Sequence, residues 1–137
     1  MIMKKLLILL FAAFLAIAPA AARKTPGDKV GASFESLKYE FGTVSSEDAP
    51  VTHEFVFTVT GDSPVAILSA NANCGCTTPE YNRKPTAPGK TNAVKVSFVP
   101  KGQRGEIYKE IRVRLKNGDG KSETITLLLT GFVDPKR

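Results

Sequence analysis

The stretch Ile107-Tyr108-Lys109-Glu110-Ile111-Arg112-Val113-Arg114-Leu115-Lys116-Asn117-Gly118-Asp119-Gly120, continued by Lys121-Ser122-Glu123-Thr124-Ile125-Thr126-Leu127-Leu128-Leu129, decides the fold. Ile107, Ile111, Val113 and Leu115 share one parity, and Tyr108, Glu110, Arg112, Arg114 and Lys116 hold the other. Period two is the mark of a strand with one dry and one wet face. After the turn residues the alternation resumes, with Ile125, Leu127 and Leu129 inward. Asn117-Gly118 between two such runs predicts a β-hairpin closed by a type I′ turn, whose central residues need positive φ.

The same period recurs upstream. Leu37, Tyr39 and Phe41 alternate with Ser36, Lys38 and Glu40, and Val51, Phe55, Phe57 and Val59 with Thr52, Glu54, Thr58 and Thr60. Val94, Val96 and Phe98 alternate with Lys95 and Ser97, while Val65-Ala66-Ile67-Leu68 is more evenly apolar. Gly61-Asp62-Ser63-Pro64, Ala87-Pro88-Gly89-Lys90 and Pro100-Lys101-Gly102 punctuate these runs as turns. No segment after the first 22 residues carries a helical stripe. About seven short antiparallel strands in one domain predict an all-β, immunoglobulin-like sandwich, with a small barrel as the alternative. The chain has no Trp, and its two cysteines are too close together to bridge two sheets, so an antibody-type domain is excluded.

The chain opens with Lys4-Lys5, an apolar stretch from Leu6 to Ile17 and Ala20-Ala21-Ala22 before Arg23. A positive start, an apolar middle and a small-residue cleavage site make residues 1–22 a secretory signal peptide. The apolar stretch is too short for a membrane span, which needs about 20 residues. No membrane span is expected after cleavage, and Arg23 stands where a lipoprotein would need cysteine. Residues 23–33 are expected to be a flexible lead-in, and 34–137 the sandwich domain. The formal charge of +6 falls to +4 once Lys4 and Lys5 leave. The remaining Lys and Arg are scattered among acidic residues, so no nucleic-acid partner is expected. A monomer in the periplasm or outside the cell is the expectation.

Cys74-Gly75-Cys76 is the chemically pointed feature. In an oxidising compartment an even cysteine count reads as a disulfide. Cα atoms two residues apart in an extended chain sit at the outer edge of disulfide geometry, and Gly75 permits the bend. Three readings stay open: a local staple, a thiol-disulfide exchange site, or a Cu(I) site. The last is poor in ligands, because both methionines lie before residue 23 and only His53 could join the sulfurs. No cofactor, metal or catalytic residue is otherwise expected. His53 has inward parity and reads as a structural histidine. Gly120-Lys121-Ser122 and Asn117-Gly118-Asp119-Gly120 lack the flanking residues of a phosphate or calcium loop. Arg112, Arg114 and Lys116 read as a solvated sheet face.

Tyr39-Glu40-Phe41-Gly42-Thr43-Val44, Asn73-Cys74-Gly75-Cys76-Thr77-Thr78-Pro79, Ala87-Pro88-Gly89-Lys90, Val96-Ser97-Phe98-Val99-Pro100 and Leu129-Thr130-Gly131-Phe132-Val133 together resemble the secreted family DUF1573, common in Bacteroidetes. The resemblance covers residues 34–133, and its Cys-Gly-Cys-Thr segment is the most specific part. It implies an immunoglobulin-like sandwich in a Gram-negative envelope and carries over no activity and no functional residue. The function expected is therefore a non-enzymatic module that meets another envelope protein through loops or a sheet edge. A thiol-disulfide redox protein is the second expectation, and a copper carrier the third.

Overall fold

A computed structural model describes residues 24–135, so the expected signal peptide lies outside the described residues. Eight strands form two four-stranded sheets: β1 (Ala32–Phe34), β2 (Lys38–Ser45), β3 (Val51–Val59), β4 (Val65–Ala72), β5 (Thr77–Tyr81), β6 (Thr91–Phe98), β7 (Gly105–Asn117) and β8 (Ser122–Asp134). One sheet runs β1-β3-β6-β5 and the other β2-β8-β7-β4. The inward residues of the period-two runs meet between the sheets, with Phe55, Phe57 and Phe98 from one side and Ile111, Leu127 and Leu129 from the other almost wholly buried. Each such side chain contributes roughly 1.5–3 kcal/mol on burial.

The sandwich is the expected one, and four details differ. The strand count is eight because β1 and β5 are short strands in segments rich in turn-formers; β5 even holds Pro79, which an edge position tolerates. The expected flexible lead-in is packed. Val30 and Ala32 are buried, the Gly27 and Lys29 amides each donate to the Glu123 carboxylate at 3.2 Å, and Ala32 to Phe34 pair with β3. Two apolar side chains and one acceptor thus outweigh a polar composition.

The β7–β8 hairpin exists, but its turn is not type I′. Gly120 N donates to Asn117 O at 3.1 Å, Asn117 N to Lys121 O at 2.9 Å, and among these residues Gly120 alone takes positive φ, 85°. This is a three-residue loop in which a left-handed glycine closes the turn. Asn117 directs it, accepting from the Asp119 and Lys121 amides through Oδ1 and donating to Val30 O through Nδ2.

Finally, the pairing is not antiparallel throughout: β2 runs parallel to β8, with a bulge between Glu40 and Thr43. Gly42 sits in that bulge at φ 75°, and Phe41 turns inward to stack on Phe98 with ring centroids 5.4 Å apart. The ring crosses directly over Gly131 of β8, where an added Cβ would be driven into it. Gly131→Ala should therefore lower stability by about 1–3 kcal/mol, the usual cost of overpacking. In a thermal-unfolding cycle Phe41→Ala/Gly131→Ala should cost no more than Phe41→Ala alone; additive losses would contradict the contact.

Candidate functional site

The chain leaves one sheet at the end of β4 and enters the other at β5, and the crossing is made by Asn73-Cys74-Gly75-Cys76. Both ends of the crossing are anchored by backbone bonds: Asn73 N donates to Glu110 O of β7 at 3.2 Å, and Val99 N, just past β6, donates to Cys76 O at 2.9 Å. Cys74 and Cys76 are joined in a disulfide with Cα atoms 5.4 Å apart. The two expected site residues are thus bonded to each other, and the pair in this form offers no thiolate to a soft metal. The Cys76 amide donates to Cys74 Sγ at 3.3 Å. Thr77, a residue the sequence reading passed over, is buried beneath the pair, with its Oγ1 3.9 Å from Cys74 Sγ and 3.7 Å from Cys76 Sγ. No alternation marked it in the sequence, because Thr77 opens β5, a short strand hidden among turn-formers.

His53 stands on β3 facing the interior. Its ring lies on Tyr39 of β2, centroids 3.9 Å apart and 5° from parallel, and meets Phe55 edge-on at 4.7 Å. It is part of the contact that holds β2 against the other sheet, far in role from a ligand. Burial pushes its imidazole below the ordinary 6.5, with Glu54 opposing. Among the described residues no three His, Cys, Asp or Glu side chains converge to hold a metal ion.

The edges and outer faces of the sheets remain. The four edge strands are blunted: β1 has 3 residues, β5 carries Pro79, β2 is bulged at Gly42 and its Lys38 backbone is engaged by Ser36 Oγ at 2.7 and 3.3 Å. The start of β4 is closed by Thr86, which exchanges bonds of 3.0 and 2.8 Å with Val65, and a bulge follows at Leu68. Such devices discourage addition of a further strand. The outer face of β7 and β8 is different. Tyr108 is 58% and Phe132 43% exposed, on neighbouring strands of the same face. They border an open groove of about 410 Å³ lined also by Lys38, Glu40, Thr43 and Thr130. Farther along β7 the same face presents exposed Arg112, Arg114 and Lys116, as the alternation foretold. Another open hollow, of about 510 Å³, lies under the N-terminal turn, where Glu123 is already occupied by backbone donors.

A family model described as a protein of unknown function, DUF1573, matches residues 32–133, which span every strand and the Cys-Gly-Cys crossing. The chain belongs to DUF1573. No curated protein matches this DUF1573 chain in sequence. Its fold is similar to the ASH / PapD-like domain 7 of human CEP192, with a TM-score of 0.67 and 10% identity over 90% of this chain and 99% of that one. The Vibrio cholerae protease VesB gives a TM-score of 0.61 and 11% identity over 74% of this chain, which spans only 32% of VesB. The periplasmic chaperone SfaE gives 0.55 and 9% over 78% of this chain and 59% of that one. At these identities the likeness is one of fold.

Two outcomes follow for the DUF1573 chain. Closing a ring of about three residues removes little chain entropy, so Cys74→Ser/Cys76→Ser should cost no more than about 2 kcal/mol in urea unfolding; a loss near the whole stability would contradict this. Because folding holds His53 neutral, the unfolded chain takes up the proton first. Stability should fall as pH drops through 6.5 and level off once the folded imidazole is protonated. His53→Phe should flatten that step in melting curves taken across about pH 8 to 5, and an unchanged step would assign it to other groups.

Proposed function

We propose that this DUF1573 domain is an exported, non-enzymatic interaction module of the bacterial envelope, and that it meets a partner protein through the outer face of β7 and β8. The observation carrying this reading is the exposed Tyr108–Phe132 pair on a sheet face whose other residues, apart from the half-buried Leu128, are Ser, Thr, Glu, Lys and Arg. Exposed aromatic side chains grouped on one surface favour contact, since Tyr, Phe and Arg are enriched where partners meet and supply most of the binding energy.

Export rests on the leader-like residues 1–22, and the disulfide is consistent with an oxidising compartment. The face is favoured over strand addition because the edge strands are short, bulged, capped or proline-bearing. Two structural neighbours, SfaE and YadV, are chaperones, SfaE a periplasmic one. That is a property of those proteins, and it supports only the suitability of such a sandwich as a contact scaffold. The partner surface that fits has an apolar centre to cover the aromatic pair and acidic residues opposite Arg112, Arg114 and Lys116.

Affinity capture from the periplasm of cells making the chain should recover one stoichiometric protein. Tyr108→Ala/Phe132→Ala should weaken that complex by at least about 30-fold, given roughly 1 kcal/mol or more per aromatic contact, with the melting temperature unchanged. Full retention by the double variant, or no partner even after cross-linking, would overturn the reading.

A further inference from the structure

The Cys74–Cys76 bond contributes little chain entropy to stability, so its opening leaves the sandwich standing. The two sulfurs are not equivalent. Cys76 packs on the hydrophobic core, whereas Cys74 lies outside that cluster and already accepts the Cys76 amide at 3.3 Å. Beneath both sits the buried Thr77 hydroxyl, 3.9 Å from one sulfur and 3.7 Å from the other. The Thr77 hydroxyl is placed to donate to a thiolate at either sulfur. Although both cysteines are half-buried, the packing of Cys76 against the core makes Cys74 the sulfur an outside thiol meets first.

From this geometry we propose that the pair is a thiol-exchange site for an external dithiol, in which Cys74 carries the mixed disulfide and Cys76 is the leaving and resolving sulfur. A thiolate of the dithiol attacks Cys74 Sγ. The Cys74–Cys76 bond breaks, its electron pair goes to Cys76 Sγ, and the Thr77 hydroxyl donates to the thiolate formed there. The second thiol of the dithiol, as thiolate, then displaces Cys74, leaving the external dithiol oxidised to a disulfide and Cys74 and Cys76 reduced. Two electrons and two protons pass to the protein. In reverse, Cys74 attacks an external disulfide and Cys76 resolves it. Thr77 is a positioning residue in either direction. The proposal stands apart from the contact reading, because it needs neither Tyr108 nor Phe132.

The test uses the folded chain, dithiothreitol as reductant and oxidised glutathione as probe, with products counted by mass. The unmutated chain should be reduced by millimolar dithiothreitol without denaturant. Cys76→Ser should gain one glutathione on Cys74 at least about tenfold faster than Cys74→Ser gains one on Cys76. Thr77→Val should slow reduction by about fivefold or more and raise the pH midpoint of Cys76 alkylation in the Cys74→Ser background, without a change in melting temperature. A disulfide that yields only after urea unfolds the chain would overturn the proposal, and this arm needs no variant. Equal glutathione rates at the two sulfurs would overturn the assignment of roles, and unchanged rates in Thr77→Val would remove Thr77 from it. Exchange without a captured partner, or a partner without exchange, separates this proposal from the contact reading.

Discussion

One aromatic ring lies where residue 131 has no side chain, and the closure of the sandwich depends on that contact. Phe41 can cross β8 because Gly131 leaves the space open, and it can turn inward because Gly42 takes up the bulge at positive φ. From there the ring reaches Phe98 of the opposite sheet, and two residues earlier Tyr39 reaches His53. Edge strand β2 is thereby pinned parallel to β8 and sealed against β3. With a larger residue at 131 the ring would be displaced, and one side of the core would lose its cover.

The opposite side is closed differently. There the chain crosses between sheets through the Cys74–Cys76 loop, and Thr86 pairs with the start of β4. One side is held by packing and the other by backbone bonds around a small covalent ring. What stays open is the outer face of β7 and β8, the longest strands among the described residues at 13 residues each. A long, rigid hairpin buried on one side is a firm platform for aromatic side chains on the other.

Much of this architecture was legible in the sequence because alternation is a local signal. The inward set of β7 and β8, the outward Arg112, Arg114 and Lys116, and the inward parity of His53 follow from period two alone. What parity could not reveal was pairing between distant segments. That Phe41-Gly42 meets Gly131, and that the pairing is parallel, depends on residues about 90 apart in the chain. Val30 and Ala32 were hidden because turn-formers surround them, while their burial depends on Asn117 and Glu123 far downstream. Tyr108 was visible as an outward residue, but its prominence needed Phe132 to be seen beside it. The cysteine pair was plain in the sequence; the buried hydroxyl under it was not.

The central claim is that the molecule acts by contact through the outer face of its longest hairpin. The direct measurement is site-specific photo-cross-linking in living cells, with a photoreactive amino acid at position 108 compared with one at position 54 on the outer face of the other sheet. The account predicts a discrete cross-linked protein from position 108 and none from position 54. A cross-link from position 54 alone, or from neither position, would contradict it.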